Sequence, residues 1–147
     1  MEEAPYKRPE SVLVVVYTHG GEVLLLERRE PPGFWQSVTG SLGWDETAAQ
    51  AARRELAEET GLHAGAELLD CGHSNEFPIL PAWRARYAPG IETNVEHVFR
   101  VGYPTRPAVR IDSAEHRALR WLPRAQAVEL ATSWTNRDAI LRWVPDR

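Results

Sequence analysis

The sequence predicts an α/β fold, in which a mixed β-sheet carries helices on both of its faces. Apolar, β-branched segments typical of strands occur before, between and after the segments with helical periodicity. This interspersed order is typical of a sheet that packs against helices on both sides. The length of 147 residues is that of one ordinary domain, so we expect a single domain over residues 1–147.

The first half of the chain combines strands with one well-marked helix. The continuous β-branched run at 11–18 predicts a buried strand. The segment 47–60 predicts a helix, which Gly61 ends as a C-cap. In chain order, the predicted elements are strands at 11–18, 22–29 and 34–39, a glycine-containing loop at 40–46 and the helix at 47–60.

The second half is less regular. Strands are predicted at 66–71, 84–87, 95–103 and 118–122, and helices over 124–131 and in a last segment that reaches residue 143. Pro123 is expected as the first residue of the helix that follows it, because proline is tolerated in the first turn. Ser133 or Thr135 is expected to cap the last helix.

Composition narrows the functional classes. Lys and Arg number 17 and Asp and Glu number 21, and the resulting net charge of −4 argues against a nucleic-acid polymer as partner. The single cysteine, Cys71, excludes a disulfide within the chain and favours a cytoplasmic location. The apolar run at 12–17 is too short for a signal peptide or a membrane span, so no membrane partner is expected.

Three glutamates of the predicted helix share one side. At about 100° per residue, Glu55, Glu58 and Glu59 fall within an arc of about 100° that continues the alanine-rich side expected to face the sheet. Like charges this close repel one another and, near the helix C-terminus, oppose the helix dipole. A bound cation would offset both costs. The alternative is a solvated acidic patch in which Arg54 pairs with Glu58.

The residue types indicate which cation this would be. Carboxylate oxygens without cysteine or paired histidine favour a hard ion, Mg²⁺ or Mn²⁺. The five histidines show no close-spaced metal pattern, so zinc is not expected, and His97 and His116 remain lesser candidates for a catalytic base. A carboxylate magnesium site is normally completed by water and substrate phosphates. The residues therefore predict metal-assisted chemistry on a phosphate ester or anhydride.

The glycine loop and the helix together resemble the Nudix box, the signature of the Nudix hydrolases. The match covers all nine specified positions over 23 residues. These positions are Gly40, Glu46, Arg54, Glu55, Leu56, Glu58, Glu59, Gly61 and Leu62. The resemblance implies the Nudix α/β/α sandwich and hydrolysis of a phosphoanhydride.

Segments outside the box indicate one group of proteins within the Nudix hydrolases. Within that family, the segments 6–9, 34–41, 86–90 and 133–137 are similar to those of the dihydroneopterin triphosphate diphosphatases. This resemblance implies cleavage of a pterin triphosphate into the monophosphate and pyrophosphate, an early step towards folate. The expected partner is thus a small-molecule triphosphate, and the expected assembly is a monomer or homodimer.

The resemblance also implies roles for the acidic residues. Glu55 and Glu59 would be direct ligands of Mg²⁺, for which Mn²⁺ is a substitute. Glu58 would be a further ligand or the base that activates water. Glu115 matches a metal-binding glutamate outside the box, although from the residues alone it is equally a plain loop acid. Arg54 would orient a glutamate of this catalytic group.

Substrate contacts are implied in the same way. The matching positions are Lys7, Arg28, Thr39, Phe77, Pro78, Ile79, Leu80 and Ser133. Cations and a hydroxyl suit a substrate that carries about four negative charges. From the residues alone, the alternative for Arg28 is a solvated strand end, and the alternative for Ser133 is a helix N-cap, a role compatible with substrate contact. Glu46 is implied to brace the glycine loop against the helix.

Two features bear on the pocket for the pterin ring. The segment 77–81 holds two prolines, which stiffen the chain where the ring is expected to lie. Trp35, Trp44 and Trp83 are candidates to stack on a flat ring, and the alternative for each is a packing role.

Three other functions remain open at this point. The first keeps the chemistry and changes the substrate to nucleoside triphosphates, including oxidised ones, or to a dinucleotide such as ADP-ribose. The second is a Nudix-fold domain that binds a nucleotide without cutting it, which the complete set of box glutamates disfavours. The third is an RNA 5′-end pyrophosphohydrolase, which the acidic charge balance disfavours.

Overall fold

Seven strands build one mixed sheet in this computed structural model, which describes residues 6–146. The strands are β1 (Glu10–Thr18), β2 (Glu22–Arg28), β3 (Trp35–Gln36), β4 (Val38–Ser41), β5 (Leu68–Pro78), β6 (Thr93–Tyr103) and β7 (His116–Pro123). The helices are α1 (Ala48–Thr60), α2 (Arg124–Leu130) and α3 (Trp134–Trp143), and a 3₁₀ helix spans Pro81–Arg86. The strand order is β3-β2-β1-β6-β5, with β4 paired to β1 and β7 paired to β2.

β1 is the central strand, and its two edges differ. One edge pairs with β6 in parallel over the whole of β1. The other edge is shared, because β4 pairs with residues 11–14 and β2 meets β1 at Tyr17. β1 and β2 therefore diverge, and β4 takes the place of β2 beside the first half of β1.

Both faces of the sheet are covered by helices, which confirms the predicted α/β architecture. Val12, Val14 and Val16 of β1 point into a core that α1 completes with Leu56. The alternate residues of β1, among them Leu13, point into a second core beneath α2 and α3. Because β1 is buried on both faces, its sequence is continuously apolar rather than alternating.

Local signals at both ends fix α1 where the sequence predicts it. The Thr47 side chain accepts a hydrogen bond from the Gln50 backbone N–H, and the Gln50 side chain accepts one from the Thr47 N–H. This reciprocal capping box begins the helix. Gly61 ends it in the left-handed conformation, with φ of 76°. Because the two caps fix where α1 begins and ends, they fix the side of the helix on which Glu55, Glu58 and Glu59 lie.

The strand predicted at 84–87 is wrong, because the chain forms the 3₁₀ helix Pro81–Arg86 there. Its first turn is closed by the Trp83 N–H, which donates to the Leu80 carbonyl at 2.8 Å. A strand needs a neighbour to pair with, and within the described part of the chain no strand pairs with this segment. The proline that opens the 3₁₀ helix also lacks the N–H that a strand ladder would use.

The region before α1 also differs from the prediction. Gly40 and Ser41, predicted in a loop, belong to β4 and pair with β1. The single strand predicted at 34–39 is divided at Ser37. The Ser37 N–H donates to the Asn136 side chain at 2.7 Å rather than to a neighbouring strand, and this bond ties the division to α3.

β5 is longer than the strand predicted at 66–71, since it continues to Pro78. It pairs with β6 along this length, with a shift of register between Asp70 and His73. Gly72 lies within this bulge and adopts a left-handed φ of 66°, which a glycine accommodates without strain.

The C-terminal helices follow the prediction with one shift. Pro123 ends β7 and immediately precedes α2, instead of being its first helical residue. Ser133, and not Thr135, caps α3, because its side chain accepts the Asn136 backbone N–H. Among residues 6–146, every helix is too short or too polar to cross a membrane.

Candidate active site

The Glu55 carboxylate lies directly against Gly40 of β4. A Cβ added at Gly40 would come within 2.1 Å of the Glu55 Cδ, so any other residue there would displace this carboxylate. Arg54 Nη1 donates to Glu55 Oε1 at 2.6 Å. The glycine that opens the box thus provides the space in which Glu55 is held, and Arg54 holds it there.

Arg54 ties the loop before α1 to the helix. Its Nε and Nη2 donate to the two carboxylate oxygens of Glu46, each at 2.8 Å, and its Nη2 also donates to the Ser41 carbonyl at 3.0 Å. The hydrogen bonds from Arg54 lower the pKa of Glu46 to about 2, so this carboxylate stays ionised. The bidentate geometry fixes both side chains. The geometry agrees with the bracing role that the resemblance implies for Glu46.

Glu58 differs from the other box glutamates because its side chain is 54% exposed. Its Oε2 lies 3.3 Å from Arg54 Nη1, so the pair weighed as a solvated alternative does form. That pair accounts for Glu58 alone, since Glu55 and Glu59 are buried. Glu58 therefore stands at the solvent side of the group.

Glu59 is the most deeply buried of these side chains, at 1% exposure. Within the described residues, neither of its carboxylate oxygens has a hydrogen-bond partner. Burial, reinforced by the negative charges of Glu55 and Glu115, raises the pKa of Glu59 well above its usual range, and the nearby Thr39 backbone acts in the opposite direction. A buried carboxylate without partners is costly unless a cation pairs with it.

Glu59, Glu115 and His116 converge on one point. Each offers a ligand atom, and these atoms lie within 4.8 Å of one another. His116 begins β7 and is buried beside Glu59, with its Nε2 3.7 Å from Glu59 Oε1. Burial, followed by repulsion from Arg28, lowers the pKa of His116 to about 4, so its ring is neutral at pH 7 and retains a lone pair.

These donors fit a divalent metal ion. Glu55, Glu59 and Glu115, which we call the acidic cluster, provide carboxylate oxygens, and the Glu59 oxygens, which have no partner among the described residues, are suited to bind a cation. The acidic cluster is thus a candidate divalent-metal site. The sequence analysis considered His116 as a base, and the structure places it at this site. Its adjacency to Glu115 was the available signal, but only the fold shows that β7 begins beside α1.

Three cations lie together beside the acidic cluster, with Lys7 and Arg28 near its carboxylates and Arg86 near both of these cations. Partial desolvation, and then repulsion from Arg86 and Arg28, lowers the pKa of Lys7, while Glu55 and Glu115 counteract this shift. The Lys7 backbone N–H also donates to the Arg86 carbonyl at 2.8 Å. We call Lys7, Arg28 and Arg86 the basic cluster. Cations crowded in this way suit a ligand with several negative charges.

Only some of the residues expected to bind substrate are found beside the acidic cluster. Lys7, Arg28 and Thr39 lie beside the acidic cluster. Ser133 acts as the N-cap of α3. The segment 77–80 lies at the end of β5 and in the turn after it, where Ile79 is buried and Leu80 is exposed. Arg86 was not predicted as a site residue.

The three tryptophans that were candidates to stack on a flat ring have different surroundings. The Arg28 guanidinium lies 4.9 Å from the centroid of the Trp83 ring, within cation–π range. The centroid of the Phe34 ring lies 5.9 Å from that of Trp83, and the two rings are tilted by 56°. Trp35 packs against the core beneath α2 and α3. Trp44 is exposed and donates through its indole N–H to the Tyr6 carbonyl.

Comparisons with known proteins agree with this geometry. The NUDIX domain matches residues 7–144. The dihydroneopterin triphosphate diphosphatase of Escherichia coli K12 is 45% identical over 148 residues, covering 98% of this chain and 97% of that protein. The Haemophilus influenzae protein of the same name is 41% identical, with 95% and 89% covered. The solved structure of the E. coli dihydroneopterin triphosphate pyrophosphohydrolase matches at a TM-score of 0.88 and 45% identity, covering 96% of this chain and 98% of that chain.

Proposed function

The chain belongs to the NUDIX family, and from this premise we propose that it hydrolyses dihydroneopterin triphosphate to dihydroneopterin monophosphate and pyrophosphate. The observation that carries the proposal is the acidic cluster, in which Glu55 and Glu59 are buried, together with the basic cluster near it. Such an arrangement suits a metal-bound polyphosphate. Similarity over nearly the full chain to two proteins named for this substrate supports the choice of a pterin triphosphate.

The proposed cation is Mg²⁺, with Mn²⁺ as a substitute. Glu55, Glu58, Glu59 and Glu115 would hold it, and the neutral ring of His116 stands beside them. All-oxygen carboxylate donors support the assignment to a hard ion. When bound, the ion activates water and offsets phosphate charge.

The chain's own side chains perform the remaining tasks in this proposal. Lys7, Arg28 and Thr39 bind and orient the triphosphate. Glu58 or Glu59 accepts the proton of the attacking water. Water adds to phosphorus in line, the bond between the α- and β-phosphates breaks, and the electron pair leaves with the bridging oxygen. Glu46 and Arg54 do not touch the substrate, but they hold Glu55 in position.

The proposal also covers the domain organisation, the cellular location and the assembly state of the protein. We propose one domain over residues 1–147, acting on its small-molecule substrate in the cytoplasm, as a monomer or homodimer. The single cysteine supports the compartment. Light scattering coupled to gel filtration distinguishes the two assembly states.

The direct test compares substrates. Pyrophosphate release, measured with Mg²⁺, is compared among dihydroneopterin triphosphate, the deoxynucleoside triphosphates and ADP-ribose. We expect the pterin to exceed the others by about tenfold or more in kcat/KM. If nucleotides match or exceed it, the hydrolytic chemistry stands and the pterin assignment falls. Binding of a non-hydrolysable triphosphate without any turnover would indicate a binding domain.

A further inference from the structure

Buried polar side chains lie at the opposite face of the sheet from the acidic cluster. Asn75 of β5 and Asn94 and Glu96 of β6 are 8%, 4% and 5% exposed. Asn75 and Glu96 are directly paired across the two strands. Asn94 precedes Glu96 by two residues and therefore shares its face. We call these three residues the polar cluster.

The register of the sheet places the polar cluster beneath α3. Val98, two residues after Glu96, belongs to the core that α2 and α3 cover. The Thr135 side chain, in the first turn of α3, lies beside Glu96. Ser133 Oγ lies 3.2 Å from Thr135 Oγ1, so the polar cluster adjoins the α3 cap.

Each member of the polar cluster has one buried polar atom without a partner. Within the described residues these atoms are Glu96 Oε1, Asn75 Nδ2 and Asn94 Oδ1. The other amide atoms of the two asparagines have partners, since Asn94 Nδ2 donates to Ser11 Oγ at 2.7 Å and Asn75 Oδ1 lies 3.0 Å from His73 Nε2. An unpaired buried donor or acceptor costs about 1–3 kcal/mol. Three such atoms in one place indicate polar groups of a ligand.

β4 links this face to the acidic cluster. Thr39 of β4 pairs with Leu13, which points into the core beneath α2 and α3. The next residue, Gly40, faces Glu55 on the side of α1. The Thr39 backbone lies beside Glu59. Thr39 therefore lies on the side of the sheet that holds the polar cluster, next in sequence to the glycine that contacts the acidic cluster.

We propose that Glu96, assisted by Asn75 and Asn94, recognises the 2-amino-4-oxo edge of the substrate ring and sets the ring specificity. This inference rests on the proposed function, because the proposed function is what makes dihydroneopterin triphosphate the substrate. That edge presents two adjacent N–H donors, from N3 and the 2-amino group, beside the 4-oxo acceptor. A carboxylate accepts from both donors, and the Asn75 amide donates to the oxo group. Guanine has the same edge and adenine does not.

The test is a change in substrate selectivity. Glu96→Gln keeps the size of the side chain and replaces one acceptor by a donor. We expect it to lower kcat/KM for dihydroneopterin triphosphate and dGTP by about tenfold or more, and to change dATP by about twofold or less. The matched control is Glu76→Gln, an exposed glutamate of β5 on the opposite face, which we expect to leave all three values unchanged.

A second variant guards against a folding defect. Asn75→Asp replaces the amide donor by an acceptor, and we expect the same selective loss. Thermal melting establishes that each variant is folded before its kinetics are compared. An equal loss for all three substrates in the folded variants, or no loss, overturns the inference.

The inference and the proposed function fail separately. If the wild-type protein does not cleave dihydroneopterin triphosphate but Glu96→Gln lowers the dGTP to dATP ratio, the proposed substrate is wrong and the role of Glu96 stands. If the wild-type protein prefers the pterin and Glu96→Gln leaves that preference intact, the proposed function stands and the role of Glu96 is wrong.

Discussion

At the scale of single residues, Gly40 and Glu55 make a close contact on which the geometry of the acidic cluster depends. Gly40 is required here for lack of space rather than for a left-handed backbone, since its Cβ would overlap the Glu55 carboxylate. The alternation of β4 then places Thr39 on the other face. Two successive residues of one short strand therefore serve two different parts of the site.

Gly40→Ala is predicted to displace Glu55. The overlap at 2.1 Å should lower the free energy of unfolding by about 1–3 kcal/mol and reduce turnover, since Glu55 would leave its place beside Arg54. Chemical denaturation and steady-state kinetics measure the two effects. The control is Gly20→Ala, where the nearest atom to the new Cβ is Thr18 Oγ1 at 3.8 Å. Equal behaviour of the two variants would contradict the steric account.

Glu96 gives a pH-dependent prediction for stability. Burial raises the pKa of Glu96 from 4.5 to about 7, and the neighbouring polar side chains of Thr135 and Asn75 oppose this shift. The folded chain thus holds a proton that the unfolded chain releases, so this carboxyl costs nothing below about pH 4.5 and lowers stability as pH rises to about 7. Glu96→Gln cannot titrate. Relative to wild type, its unfolding free energy should rise by about 3 kcal/mol between about pH 4 and about pH 8.

Urea denaturation of both proteins at the two pH values measures this difference. Glu76→Gln again serves as the control, because its side chain is exposed. A difference between Glu96→Gln and wild type that stays constant with pH would show that Glu96 ionises normally in the folded chain.

At the scale of elements, the 3₁₀ helix Pro81–Arg86 supplies two groups to the site. Arg86 belongs to the basic cluster, and the Trp83 ring lies against the Arg28 guanidinium. Arg28 also donates through Nε to the Glu30 carbonyl at 3.0 Å. Trp83 therefore acts as a positioning residue for Arg28 and has its ring face occupied by that contact.

Trp83→Ala is predicted to weaken substrate binding through Arg28. Loss of a cation–π contact worth about 1 kcal/mol should raise KM about threefold to tenfold with little change in kcat. Trp83→Phe, which keeps an aromatic face, should restore most of the loss. In an Arg28→Ala background, Trp83→Ala should have no further effect on KM. Additive effects of the two substitutions would show that Trp83 acts independently of Arg28.

The sequence predicted those elements whose signals are local. α1 has a capping box and a C-cap glycine, and β1 has an unbroken β-branched run, so both were located correctly. The strand predicted at 84–87 failed because pairing depends on a distant partner. β5 was underestimated because polar residues such as Asn75 interrupt the apolar pattern.

For the candidate site, too, the sequence predicted the residues whose placement depends on local spacing and missed those whose placement depends on the fold. The box glutamates follow from the spacing within one helix, whereas the meeting of Glu115 and His116 with Glu59 depends on where β7 begins beside α1. Arg86 and the polar cluster were missed for this reason. Their neighbours lie on other strands, which a reading along the chain does not bring together.

At the scale of the whole molecule, the sheet separates two kinds of chemistry. α1 holds Glu55 and Glu59 of the acidic cluster on one face, and α3 covers the polar cluster on the other. β1 and β2 diverge where β4 pairs with β1. Successive residues of β4 face the two sides of the sheet. In our account, one end of the substrate is cleaved at the first face while its ring is recognised at the second.

The most direct test of this account identifies the products by ³¹P NMR after incubation of dihydroneopterin triphosphate with the protein and Mg²⁺. We predict pyrophosphate and dihydroneopterin monophosphate in equal amounts. Glu59→Gln should remain folded and lose about a hundredfold to ten-thousandfold in rate, whereas the exposed Glu129→Gln on α2 should behave as wild type. Release of orthophosphate, absence of cleavage by the wild-type protein, or full activity of folded Glu59→Gln would contradict the account.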